Sequence, residues 1–227
     1  LRPLTPSLEF AHETLLLFAA RGGRLRPGFQ ISSVSLSSTD IVRLASRDFR
    51  PKWGYAVIAS LTSTPFISII GVISSGYARV YTPGVAPHHS LMLRGVVQYQ
   101  DAGDYVLRQK ELFPRGAKYN IYPADYQAAS ADYQLPLCYP DTGISSILYV
   151  RRIRLNLAGD YARYRSFTSS GGHSKKWNDI YSYGAELTFD IVPIRLPSST
   201  KTSVTFKIHK ANDSSSPRLG VSMEMPI

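Results

Sequence analysis

The 227-residue sequence contains a single cysteine, Cys138, so neither an internal disulfide framework nor a cysteine-based zinc site can form. It lacks any run of about 18 apolar residues, which excludes an ordinary transmembrane helix. The longest candidate, Gly54 to Gly76, is broken by Pro65 and diluted by serine and threonine. Charge is also scarce. Charged residues make up 19% of the chain and hydrophobic ones 44%, a balance that excludes a disordered polymer and permits a core. Leu1 to Glu9 carries no signal-peptide pattern, and a start at Leu1 rather than Met suggests cleavage from a precursor.

What is abundant is proline (15), glycine (16) and tyrosine (15), a composition that favours short strands joined by turns. Lys and Arg number 26 against 16 Asp and Glu, giving +10 and implying an anionic neighbour or an acidic protein partner.

Thr5 to Arg21 reads as a helix. Thr5 is a cap, Pro6 suits the first turn, Glu9 and Glu13 sit near the positive end, and Gly22-Gly23 supply the stop. From Phe29 the period shortens: Ile31, Val34 and Leu36 alternate with serines. Pro65 to Ser75 is an apolar block read as a short buried helix that enters a strand at Tyr77 to Tyr81. Further strands are expected at Leu91 to Tyr99, Tyr105 to Leu112, Lys118 to Tyr122 and Tyr133 to Tyr139. Pro140 to Ser182 reads as one long loop. Two strands with clean period-two alternation follow, Glu186 to Val192 and Ser203 to His209, each with one buried and one wetter face. His209, out of phase with Val204, Phe206 and Ile208, is expected at the surface.

No catalytic constellation assembles. Asp141-Thr142-Gly143 resembles an aspartic-protease turn, but the second triplet needed for a shared proton is missing, so it weighs as a plain turn. His12-Glu13 lacks the second histidine of a zinc-protease helix, and His88-His89 alone cannot close a metal sphere. There is no nucleophile elbow, P-loop or dinucleotide fingerprint. The expectation is a non-enzyme with no cofactor and no metal.

The basic cluster carries more. Arg151, Arg152, Arg154, Arg163, Arg165, Lys175 and Lys176 face one acid, Asp160, with Tyr149, Tyr161, Tyr164, Phe167 and Trp177 interleaved. Arginine with aromatics suits single-stranded RNA, suits a protein interface, and also occurs on a merely solvated loop. The protein interface is the reading preferred here, and the other two stay open.

Read in order, several segments resemble picorna-like virus capsid subunits, in particular the fivefold-vertex subunit of dicistroviruses and of marine and algal picorna-like viruses. They are the Leu-rich run Glu13 to Arg24, the apolar segment Pro65 to Arg79, Ala131 to Tyr139, and Val204 to Asp213 followed by Leu219 to Val221 and Pro226. In that family an Asp-Asp-Phe is implicated in a maturation cleavage. Here Asp213 stands between Asn212 and Ser214, so that activity is not carried over.

The resemblance implies an all-β fold: an eight-stranded antiparallel jelly-roll β-sandwich, with a short N-terminal helix and one or two small helices in loops. Residues 1–28 would be the helix and arm and 29–227 the jelly roll, with the long loop at about 140–182. It also implies polyprotein processing and an icosahedral virion, assembled in the host cytoplasm from copies of this chain and sister subunits around genomic RNA, with no membrane partner and an unknown receptor. Candidate interface residues are Leu15, Leu16, Phe18, Tyr161, Arg163, Tyr164, Arg165 and Trp177. Candidate RNA contacts are Arg151, Arg152, Arg154, Lys175 and Lys176. The alternative is a soluble β-sandwich module that binds carbohydrate or RNA.

Overall fold

The computed structural model describes residues 6–15, 29–42, 50–63, 72–101, 112–117, 123–144, 148–167, 173–193 and 202–224. These form strands β1 (Pro6–Leu15), β2 (Phe29–Ile41), β3 (Gly54–Ser63), β4 (Ile73–Pro83), β5 (Ser90–Gln100) and β6 (Pro123–Cys138). They continue with β7 (Thr142–Ile144), β8 (Leu148–Ser166), β9 (Asn178–Pro193), β10 (Thr202–Ala211) and β11 (Arg218–Glu224). All belong to one antiparallel sheet, and no described residue is helical.

The sheet is a meander. Its order is β1-β2-β3-β4-β5-β6-β8-β9-β10-β11, with short β7 folded back on the start of β8. The all-β class expected from composition is therefore correct, but the jelly-roll sandwich does not describe the connectivity. A jelly roll carries strands from one sheet to another through long connections. Here every strand on the path pairs with its neighbours along the chain. Tight turns such as Gly84–His89 close the ladders locally: the Gly84 N–H donates to His89 O at 3.1 Å.

Three local expectations are corrected. Pro6–Leu15 is a strand and not the front of a helix; it is laddered to β2, with Phe10 opposite Val34 and Leu8 opposite Leu36. Its cap and stop signals are local, whereas ten residues of register with β2 are tertiary and outweigh propensity. The rest of that helix, with Leu16 and Phe18, lies outside the described residues. In the apolar block from Pro65, Ile73 to Ser75 open β4, and 65–71 lie outside the described residues. Finally, most of the long loop expected at 140–182 is strand: β7, all nineteen residues of β8, and the start of β9. The strand candidates at 105–112 and 118–122 fall almost wholly outside the described residues.

The two faces of the sheet differ in chemistry, and they differ in the unusual sense. Register carries one set of side chains across the ladders: Val57, Ala78, Gly95, Ala129, Tyr161 and Tyr181. Along β9 this face shows Tyr181, Tyr183, Ala185, Leu187, Phe189 and Ile191 in succession, and on β10 Val204, Phe206 and Ile208. It is the exposed face: Tyr183 is 59% exposed, Phe206 49% and Ile208 46%. Its charged residues, Asp40, Asp125, Arg163, Arg165, Asp179 and Lys210, all fall near strand ends.

The opposite face is polar and buried. Ser90, Ser130, Asp132, Gln134, Asn156, Asp160, Ser182, Thr188, Asp190, Thr205 and His209 all lie there. Among the described residues no second sheet covers it. The cover is the segment 112–117 between β5 and β6, which reaches β6, β8, β9 and β10. Arg50, from the β2–β3 connection, donates to Asp132 O on β6, three ladders away. These reaches make the polar face concave. Two small apolar clusters form under the same segment, Val96-Tyr126-Ala128-Ala162 and Ala117-Ile180-Ala211, with Phe113 packed on both. The expectation for His209 is thus reversed: it is 6% exposed, while its apolar neighbours in sequence face outward.

Candidate functional site: a charged cluster on the concave face

Arg115 is the centre of the buried polar face. Pro114, fully buried, and Gly116, at φ 82°, form the turn that carries it over the sheet. That φ lies in the left-handed region that favours glycine, and a Cβ at Gly116 would also press on His209 at 3.1 Å. Arg115 Nη1 meets Asp132 Oδ1 at 2.6 Å, and its Nη2 and Nε meet the two oxygens of Asp160 at 2.8 and 3.0 Å. The pairing with Asp160 is bidentate, the strong geometry for a guanidinium. The Arg115 backbone N–H adds a bond to Asp160 at 2.9 Å, and Ser130 and Ser182 hydroxyls donate to the same carboxylate at 2.7 and 3.0 Å.

Asp132, 1% exposed, is shared further: Arg94 Nη2 reaches it at 2.6 Å and Asn156 Nδ2 at 3.0 Å. Asn156 also donates to Glu186 Oε2 at 3.1 Å, and His209 Nε2 lies 3.0 Å from Glu186 Oε1. Arg94 and Arg115 therefore meet Asp132, Asp160 and Glu186, each acid holding several donors. Burial opposes the charge on Arg115, but its bonds to Asp160 and Asp132 outweigh it and raise its pKa above the ordinary arginine value. At Arg50 burial prevails over the nearby Asp132 and lowers the pKa. Gly184 gives His209 its space, since a Cβ there would overlap the ring nitrogen Nδ1 and the Ile208 carbonyl.

Each acid of the cluster is held by several donors, while Arg94 Nε, Asn156 Oδ1 and His209 Nδ1 are buried without a partner among the described residues. The cluster has no exposed nucleophile, and no group of three metal-ligating side chains occurs among the described residues. Asp141 sits at φ 41° in the turn before β7, with the Tyr149 hydroxyl 3.4 Å from it, and takes no part. His89 pairs with the Tyr133 hydroxyl at 2.8 Å in the β4–β5 turn.

The basic-aromatic set expected to act together is divided by the fold. Arg152 and Arg154 lie near the start of β8 on the concave face, where both pair with Asp190. Arg151 sits at the bulge where the β8–β9 register slips. Arg163 and Arg165 lie near the other end of the strand on the outward face, about 36 Å away at ~3.3 Å per residue. There they stack on Trp177, their guanidinium carbons 4.4 and 4.7 Å from its ring centroid. Arg165 also binds Asp125 at 2.7 Å, beside His173. Tyr161 faces outward and donates to Asp179 at 2.7 Å, whereas Tyr164 turns inward against the apolar clusters. Lys175 and Lys176 are exposed in the β8–β9 connection. Leu15 closes β1 opposite Phe29.

Sequence reasoning missed Arg94, Arg115, Asp132, Asn156, Asp160 and Glu186. The available signal was that Asp132, Asp160, Glu186 and Asp190 occupy regular positions inside strands where soluble sheets carry apolar residues. Comparison with known protein families, curated proteins and solved structures finds no match.

Proposed function

We propose that this chain is the wall of a transmembrane β-barrel of outer-membrane type, its interior filled by a charged cluster and closed by the segment 112–117. The observation that carries the reading is the inversion of the two faces: apolar residues outward through the middle of the strands with charges only near their ends, and Asp132, Asp160, Glu186, Asp190, Arg94, Arg152 and Arg154 inward. In a bilayer the outward side chains meet hydrocarbon, and only a closed sheet or a helix satisfies backbone groups there. No helix long and apolar enough to cross a membrane occurs among the described residues.

Dimensions agree. The outward run Tyr181 to Ile191 on β9, at ~3.3 Å per residue and a tilt of about 40°, rises about 25 Å, the height of the apolar band in such barrels. The main path has an even number of strands, so β1 and β11 run antiparallel and their free edges suit closure. Outward charges sit at the two ends of the band, and outward tyrosines Tyr99, Tyr161, Tyr181 and Tyr183 cluster toward one of them, as in an interfacial girdle.

The capsid subunit implied by the resemblance is the rival. It rests on the resemblance of segments taken in order, and a shell subunit has no physical need for an apolar band around a polar interior. The test is expression followed by fractionation. A barrel stays in carbonate-washed membranes, needs detergent for extraction, and migrates faster on SDS gels unheated than boiled. A monodisperse, detergent-free protein overturns the proposal, and icosahedral particles would restore the capsid.

A further inference from the structure

We infer that the outward face holds one anionic phospholipid, its phosphate on Arg163 and one acyl chain in a shallow groove that runs from β8 toward β3. This deepens the barrel reading and rests on it. The groove, of about 560 Å3, is floored by the small residues Ala59, Ala78, Gly95 and Ala129 between Val57 and Val97. It crosses four ladder spacings, about 19 Å at ~4.8 Å each. Small floors between larger outward side chains make a furrow where a flexible chain gains contact on both flanks.

Arg163 and Tyr161 close one end of this furrow. Arg163 is the cation left over at that rim. Asp125 is held by Arg165 at 2.7 Å, and Asp179, opposite Arg163 in register, accepts the Tyr161 hydroxyl at 2.7 Å. Arg163 Nε is buried with no hydrogen-bond partner among the described residues, and the guanidinium carbon lies over the Trp177 ring, 4.4 Å from its centroid. A stacked, pre-oriented guanidinium presents its edge to a phosphate at low entropic cost. Lys175 and Lys176, exposed in the same connection, add positive charge at the level where headgroups lie.

The test uses the purified full chain in non-ionic detergent, with native mass spectrometry and thermal melting in the presence of phosphatidylglycerol or phosphatidylcholine. Phosphatidylglycerol is expected to remain bound and raise the melting temperature, and phosphatidylcholine to do neither. Arg163→Gln should weaken retention roughly tenfold, the loss of one charge-assisted contact. Ala129→Leu, which fills the furrow and leaves every charge in place, should give a similar loss while the unheated protein keeps its fast gel mobility. Equal binding of the two lipids, or retention unchanged in either variant, overturns the site. A detergent-requiring, heat-modifiable protein without lipid preference defeats this inference alone, whereas a protein soluble without detergent defeats the barrel reading as well.

Discussion

At the scale of single residues, the concave face is governed by the cost of leaving a buried charge alone. Asp160 takes five donors, three of them from Arg115, so Asp160→Asn leaves the guanidinium with Asp132 and Glu186 as its acids. Breaking a buried pair from one side costs about 3–5 kcal/mol. The expected outcome is a folded gel band lost at clearly lower urea than in the unmodified chain, and an unchanged urea midpoint would refute the pairing. Gly184 supplies a second test. Gly184→Ala drives a methyl into His209, an overpacking cost of about 1–3 kcal/mol. Adding His209→Ala removes the ring and leaves the Ile208 carbonyl in place, so the double variant should recover part of the stability lost in Gly184→Ala in the same titration. Failure to recover would mean that the glycine serves something other than the histidine.

The elements obey two different environments at once. Leu187, mid-β9 and outward, faces what we read as hydrocarbon, whereas Tyr181, on the same row, lies near the rim. Leu187→Arg should therefore cost about 2–4 kcal/mol in refolding into vesicles and Tyr181→Arg about 0–1. Equal small costs at both would argue for water on that face. The segment 112–117 is an element of another kind: its Phe113, Pro114 and Arg115 pack over the buried face of the sheet, where the barrel reading makes them a plug. Replacing it with Gly and Ser of equal length should turn a poorly conducting protein into one with measurable single-channel currents in a planar bilayer. Large currents from the unmodified chain would contradict the plugging role.

For the whole molecule, the two tryptophans report orientation without any engineering. Trp53 precedes β3 at one end of the sheet and Trp177 precedes β9 at the other. In a spanning barrel both sit at bilayer interfaces, where tryptophan is favoured. Lipids brominated near the headgroup should quench their fluorescence more than lipids brominated at the chain ends. Equal quenching at both depths, or none, would be incompatible with a spanning sheet.

Much of this architecture was legible in the sequence. The alternation of Leu187, Phe189 and Ile191 and of Val204, Phe206 and Ile208 established strands β9 and β10, and turn residues such as Pro83-Gly84 marked where strands end. Legibility failed where the deciding contact is distant. Arg152 and Arg163 are close in sequence and chemically alike, yet the parity and length of β8 send one inward to Asp190 and the other outward to Trp177. Arg115 stands in an unremarkable Pro-Arg-Gly turn, and its acids come from β6, β8 and β9.

Composition and period-two patterning by themselves determined an antiparallel all-β chain with two chemically distinct faces, because the side-chain period of a strand is a local property. Which face turns to the surroundings was decided only by tertiary structure. A two-residue period is unchanged when the faces are exchanged, so curvature and the reach of Arg50 and Arg115 across the ladders had to choose, and they put the charges inside.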